Sequence, residues 1–165
     1  MIDIFGNNEF KQAVRYGKVL PGYYATRCGK IYSTKTNKFI SITADKYGYM
    51  NCGVSLPVNF FGDHNYFKQN DKRTSFNLRI QVHRLIAETF IPIDEFPPIP
   101  IEDWNNAPET AKQFIRDCAV VDHIIPDLSN NSADNLRWMT PKGNNFARKA
   151  AAESTPVALT APTIG

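Results

Sequence analysis

The residues best suited to chemistry lie towards the C-terminal end of this 165-residue chain. Asp122 and His123 place a carboxylate beside an imidazole, and Asn135 and Asn144 add two amides further along. Carboxylate and amide oxygens are hard ligands that suit Mg²⁺ and leave coordination positions open for a phosphate and for water. An imidazole, with an ordinary pKa of about 6.5, suits the removal of a proton from an attacking water at neutral pH. Together these side chains form the inventory of a one-metal site that hydrolyses phosphodiester bonds.

The local sequence predicts the elements that would position these residues. Thr140 is a typical N-cap, and Pro141 is typical of a first helical position. We therefore predict a buried strand that begins at 118 and ends in Asp122-His123, a loop, a second strand at 136–139 and a helix at 141–149. A hairpin laid against a helix end would bring the end of its first strand beside the first turns of that helix.

The adjacency of Asp122 and His123 constrains the geometry of the site. Neighbouring side chains on a strand point to opposite faces, so the two share one site only if the strand ends or bulges there. The sequence that follows, Ile124-Ile125-Pro126-Asp127, predicts such a break. We therefore expect Asp122, His123 and Asn144 to converge.

The rest of the chain reads as a β-rich half followed by a connector. Short β-branched and aromatic runs separated by turn residues predict a meander of hairpins. The strands are expected at 23–26, 31–33, 39–43, 49–56 and 76–82. Short helices are expected at 7–17 and 83–90, and a polar loop at 57–75. Residues 92–106 are expected to be extended, and 107–117 to form a helix with Phe114 and Ile115 facing inward.

Composition limits the classes of protein that fit. A hydrophobic content of 42% and a charged content of 21% are typical of a globular domain. The three cysteines are widely spaced and odd in number, which argues against a disulfide framework. There is no apolar run of membrane-spanning length and no secretory signal pattern, so we expect a cytoplasmic protein without a membrane partner. The net charge of +3 is uneven, because residues 1–75 carry 11 Lys and Arg against 5 Asp and Glu.

The motif residues resemble a known family. The pattern V-D-H, a loop containing N-N, then N-L-R-W and a helix bearing Asn is similar to the HNH nuclease motif of the phage homing endonucleases of the I-HmuI type. The segments Val82-His83-Arg84-Leu85-Ile86-Ala87 and Gly29-Lys30-Ile31-Tyr32-Ser33 also resemble that family, so the likeness spans roughly residues 22–149. It implies an α+β fold in which an N-terminal antiparallel β meander is followed by a ββα-metal (HNH) motif.

The resemblance also implies roles for individual residues. Asp122 and Asn144 match the metal ligands and His123 matches the general base. Asn135, the second residue assigned to catalysis, matches the amide that ties the loop and holds the base in place. The cofactor implied is Mg²⁺ or Mn²⁺, with no small-molecule cofactor, and the partner is double-stranded DNA. The mixture of positive charge and aromatic rings in the meander, together with the motif, predicts DNA contacts. The predicted DNA-binding residues are Arg27, Lys30, Lys38, Arg137, Lys142 and Arg148.

We expect four regions along the chain. They are a basic β-rich DNA-contacting region at 1–90, an acidic Pro-rich connector at 91–118, the HNH motif at 119–150 and a flexible tail at 151–165. The predicted function is a metal-dependent homing-type DNA endonuclease of a phage or mobile element, which nicks DNA or cuts both strands. It is expected to act in the host cytoplasm as a monomer or weak dimer. Two alternatives remain open: a catalytically silent DNA-binding protein that keeps the HNH fold, and a protein-interaction factor that acts through the acidic connector.

Overall fold

The computed structural model describes residues 10–62 and 73–154 of the chain. The first half of the chain is rich in strands and the second half contains both helices and strands, in agreement with the predicted α+β class. In chain order they are β1 (Phe10–Arg15), β2 (Lys18–Thr26), β3 (Ile31–Ser33), β4 (Lys38–Phe39), β5 (Ile42–Ala44), β6 (Met50–Pro57), β7 (Ser75–Gln81), α1 (Val82–Phe90), α2 (Ile101–Asn106), α3 (Glu109–Cys118), β8 (Val120–His123), β9 (Leu136–Met139) and α4 (Pro141–Ser154). The described strands form antiparallel sheets ordered β1-β2-β3-β4, β5-β6-β7 and β8-β9.

The first sheet begins with a hairpin where the sequence pattern predicts a helix. Residues 10–15 pair with β2, from Phe10 opposite Thr26 to Arg15 opposite Lys18. The turn residues Tyr16 and Gly17 both have positive φ, at 59° and 66°, which matches the twist of tight hairpins. The helix prediction is therefore wrong for the described part of 7–17, and residues 7–9 lie outside it. Gly17 marks a hairpin turn, because strand pairing outweighs a weak helical pattern.

The second sheet and α1 build the core. Along β6, Cys52, Val54 and Leu56 point to one face and are buried, as the strand period requires. Helix α1 follows β7 directly and contacts β1, β6, β7 and the β8-β9 hairpin. Its Leu85 and Ile86 are fully buried. The predictions of a strand near 76–82 and a helix at 83–90 are confirmed; both strand boundaries and the start of the helix are shifted by one residue, and the helix ends at Phe90 as predicted.

Two other boundaries differ from the expectations. The predicted strand at 39–43 is divided, because β4 pairs with β3 in the first sheet while β5 pairs with β6 in the second. The predicted loop at 57–75 contains the last residue of β6 and the first of β7. Residues 63–72 of that loop lie outside the described part of the chain.

The connector is more ordered than its Pro-rich sequence suggests. Residues 101–106 form α2, whose Trp104 is only 2% exposed, so the extended prediction for this stretch is wrong. Helix α3 begins at Glu109 and buries none of its side chains, and Phe114 is 69% exposed where the pattern predicts an inward position. The ion pair from Arg116 to Asp94 links α3 to the segment before α2, and the pair from Arg116 to Glu109 lies within α3. A spacing of apolar residues cannot tell a core face from an exposed stripe.

Candidate active site

The hairpin β8-β9 carries the motif residues in a regular register. Asp122 lies opposite Arg137, and His123 lies opposite Leu136. The strand ends at His123, as predicted, but it begins at Val120 because Cys118 still belongs to α3, and its register contains no bulge. A loop and a short 3-10 helix, Ala133–Asn135, return the chain to β9. The side chains of Asp122 and His123 therefore point to opposite faces of the hairpin. One substrate could contact both of them only at the end of the strand.

The His123 ring is buried on the core side and held by an amide. It is 7% exposed, and its Nε2 lies 3.2 Å from Oδ1 of Asn131. The Asn131 Nδ2 donates to the carbonyls of Leu128 and Ser129, which fixes the amide with Oδ1 towards the ring. Because Oδ1 only accepts, a neutral His123 must carry its proton on Nε2. Its Nδ1 then has the lone pair that a general base needs.

A second histidine lies beside the first, with the two rings tilted to each other. The His83 ring lies 5.3 Å from the His123 ring and 5.2 Å from the Tyr49 ring, measured between centroids. Burial, followed by the nearby charge of His123, lowers the pKa of His83 to about 3. The ring therefore stays neutral at physiological pH, and its buried Nδ1 has no hydrogen-bond partner among the described residues.

Asn135 closes the loop that follows β8. Its Oδ1 accepts from the backbone N–H of Ile125 at 2.8 Å, and its Nδ2 donates to the carbonyls of Ile125 and Asn130 at 3.2 and 2.9 Å. The backbone carbonyl of Asn135 accepts from Ile124. All of these contacts are with the loop backbone, so this side chain shapes the loop.

Asp122 forms an ion pair with Arg137 on the neighbouring strand. Its Oδ2 accepts from both Nε and Nη2 of Arg137, at 2.9 and 2.8 Å. The Asp122 side chain is 12% exposed and that of Arg137 is 42% exposed. Arg137, which is predicted to bind DNA, is therefore paired with Asp122, which is predicted to bind the metal.

Asn144 lies in the first turns of α4, which contacts β8. The helix begins as predicted, because the Thr140 hydroxyl accepts from the backbone N–H of Gly143 at 3.1 Å. The Asn144 Oδ1 is buried and has no hydrogen-bond partner among the described residues. A buried amide oxygen without a donor is costly, and a hard cation would satisfy it.

Asp122 and Asn144 thus fit the donor set of a divalent metal. Among the described residues, His, Cys, Asp and Glu side chains form no cluster of three or more that could hold an ion. One carboxylate and one amide would leave the remaining positions to water and phosphate.

The three predicted DNA-binding residues of the meander, Arg27, Lys30 and Lys38, differ in their contacts. Arg27 is 46% exposed and pairs with Asp134 at 2.6 Å. The Lys30 ammonium lies 5.8 Å from the centre of the Phe39 ring, and Lys38 is exposed. The Arg27 carbonyl also accepts a backbone hydrogen bond from Ala133, which joins the meander to the loop of the motif.

The remaining predicted contacts lie on α4. Lys142 and Arg148 are both exposed, and the Lys142 ammonium lies 5.8 Å from the Phe146 ring. Phe146 is itself 60% exposed, so this part of the helix presents charge and an aromatic ring to solvent.

Sequence reasoning missed Asn131 and His83, which lie beside the His123 ring, and Gly29, which lies against Asn131. Gly29 has φ of 90°, and a Cβ there would lie 2.9 Å from the Asn131 carbonyl oxygen. The paired asparagines at 130 and 131 were the available signal for Asn131, although spacing does not show which amide faces a ring. No local signal connects residues 29 or 83 with residue 123.

Two known proteins are similar to this chain over most of its length. No protein-family model matches the chain. Over 122 residues it is 30% identical to a protein of Acanthamoeba polyphaga mimivirus named "Uncharacterized HNH endonuclease L245". The chain is a relative of the HNH endonucleases. It also shares its fold with the solved structure "DNA binding and cleavage by the HNH homing endonuclease I-HmuI", with a TM-score of 0.53 and 24% identity over 90% of this chain.

These matches span only part of each relative. The aligned residues make up 74% of this chain and 26% of the mimivirus protein, and the structural match covers 62% of the I-HmuI chain. The HNH relationship predicted from the motif is confirmed. No helix in the described ranges combines the length and apolar character needed to cross a bilayer.

Proposed function

We propose that this HNH relative hydrolyses phosphodiester bonds of double-stranded DNA with a divalent cation, as a homing-type endonuclease. The observation that carries the proposal is the orientation of His123, whose Nε2 faces the fixed Asn131 oxygen. This arrangement leaves Nδ1 as the basic nitrogen, which is the state that proton abstraction requires. The HNH relationship supports the same reaction.

The chain's own residues supply positioning and proton transfer in this proposal. His123 takes a proton from the attacking water through Nδ1, and Asn131 stabilises the resulting imidazolium because its oxygen continues to accept from Nε2. Asn135 keeps the loop closed, so that the end of β8 stays in place. The neutral His83 ring supports His123 without competing for the proton.

Asp122 and Asn144 would hold the cation, which we propose to be Mg²⁺ or Mn²⁺. When bound, it supplies positive charge to the scissile phosphate and the leaving oxygen. The buried, unpartnered Oδ1 of Asn144 supports its assignment as a ligand. Hydrolysis would then leave a 5′ phosphate and a 3′ hydroxyl.

In this proposal, the basic meander and α4 bind DNA and the acidic connector does not. The basic meander within 1–90 and the exposed Lys142 and Arg148 would contact phosphates, while the acidic connector at 91–118 would face away from DNA. The hydrogen bond between Arg27 and Ala133 supports a direct link from the meander to the site. A virus-encoded relative supports a phage or other mobile element as the source, with action in the host cytoplasm.

One observation favours a second candidate, a silent DNA-binding protein that keeps the HNH fold. Asp122 is paired with Arg137, so a metal must compete for the carboxylate. A plasmid-nicking assay separates the two functions. The wild-type protein should nick supercoiled DNA with Mg²⁺ or Mn²⁺ and stop on addition of a chelator, and His123→Ala should bind DNA without cutting it.

The matched control is Phe114→Ala on the exposed face of α3, which should cut at the wild-type rate. Retained cutting in His123→Ala would remove His123 as the base. DNA binding without any metal-dependent cutting by the wild type would favour the silent protein.

A further inference from the structure

The pairing of Asp122 with Arg137 has a consequence for how the site is assembled, if the proposed nuclease function holds. The two residues lie directly opposite each other on β8 and β9, and two guanidinium nitrogens share the single oxygen Oδ2. The carboxylate is 12% exposed, whereas the arginine is 42% exposed. The anion is therefore sheltered from water, while the guanidinium can reach solvent.

A divalent cation and this arginine compete for the same negative charge. The carboxylate carries one negative charge, which Arg137 already balances in the free protein. A divalent ion at Asp122 would place two further positive charges next to the guanidinium, and the two cations would repel each other. The buried Asn144 oxygen adds a neutral ligand and does nothing to offset that repulsion.

A DNA phosphate changes this balance. It brings a negative charge, and its oxygens accept the forked donors of an arginine as well as a carboxylate does. We propose that Arg137 moves from Asp122 to a DNA phosphate when DNA binds, and that this exchange couples cation binding to DNA binding. The cation is then held tightly only when the substrate is present. By linkage, the cation must tighten DNA binding by the same factor.

The test is Mn²⁺ titration calorimetry on the full chain without DNA. Arg137→Gln removes the competing charge and should bind Mn²⁺ about tenfold more tightly than the wild type, within the usual range of such couplings. Arg79→Gln, which removes one exposed arginine from β7, is the matched control and should leave the affinity unchanged. Arg137→Lys keeps the charge but loses the fork, and it should lie between the wild type and Arg137→Gln.

The coupling is measured with a DNA duplex in the His123→Ala background, so that the DNA stays intact. Mn²⁺ should raise the duplex affinity of that protein by about tenfold, and adding Arg137→Gln should remove most of the increase. Thermal unfolding of each variant gives an independent readout, because Mn²⁺ should raise the Tm of Arg137→Gln more than that of the wild type.

Equal or weaker Mn²⁺ binding by folded Arg137→Gln would overturn the coupling. If the glutamine variant does not fold, an Mn²⁺ affinity of Arg137→Lys no higher than that of the wild type would overturn it equally. Asp122→Asn distinguishes this failure from failure of the proposed function. If Asp122→Asn leaves Mn²⁺ affinity unchanged, the metal site itself is wrong, and the coupling falls with it. If Asp122→Asn weakens Mn²⁺ binding while Arg137→Gln does not strengthen it, only the coupling is wrong.

Discussion

Acidification should destabilise this protein through the buried imidazole of His83. Burial lowers the pKa of His83 to about 3 in the folded state, while an exposed histidine in the unfolded chain has a pKa of about 6.5. As the pH falls below 6.5, the unfolded chain therefore takes up a proton that the folded protein refuses. Stability is lost from about pH 6.5 downward until the folded pKa is reached, where the loss levels off.

The size of the effect follows from the two pKa values. Between pH 7 and pH 5, the unfolded state gains about 2 kcal/mol relative to the folded state from this one group. The free energy of unfolding of a typical domain is about 5 to 15 kcal/mol, so this loss would remove a large share of it. His83→Leu places an apolar side chain at this buried position and removes the titrating group, so the variant should lack this part of the pH dependence.

The assay is urea unfolding at pH 7 and pH 5, followed by the fluorescence of Trp104 and Trp138. The wild type should lose about 2 kcal/mol more than His83→Leu between the two pH values, whatever the absolute stability of the variant. All other titratable side chains are present in both proteins, so the difference between the two losses reports on His83. Equal losses in the two proteins would show that His83 titrates normally in the folded state, and the argument from burial would be refuted.

Three other outcomes follow from the contacts of the site. Asn131→Ala removes the acceptor at His123 Nε2, so the cleavage rate should fall by about 100-fold, and an equal fall in DNA affinity would contradict an orienting role. Replacing Lys30 and Lys38 with Gln should weaken duplex binding and flatten its logarithmic salt dependence by about 0.9 per lost phosphate contact, whereas an unchanged slope would remove these lysines from the DNA surface. Gly29→Ala should cost about 2 kcal/mol in urea unfolding, because its φ is positive and the new Cβ meets the Asn131 carbonyl. Gly53→Ala is its control, since open space surrounds Gly53 and little loss is expected.

The sequence predicts the hairpin and helix of the site better than it predicts the first strand and the connector. The strand at 136–139, the end of β8 at His123 and the start of α4 all follow from local signals: a short apolar run, a proline-containing break and an N-cap. The helical pattern at 10–15 is misleading, because the strand character of these residues depends on β2 as a partner. The helix at 101–106 and the exposure of Phe114 escape prediction for a similar reason, since both depend on what packs against them.

The sequence alone determined which chemical groups this protein carries, and in what order the hairpin and helix bearing them would form. Spacing along the chain is enough for this, because caps, turns and strand ends are set by residues a few positions apart. Only the tertiary structure decided how those groups are engaged. His83 lies 40 positions before His123, Gly29 lies against the loop that holds it, and Arg137 faces Asp122 across two strands. Each of these contacts depends on strand register and packing, so the protonation of the base and the competition for the carboxylate could not be read from the sequence.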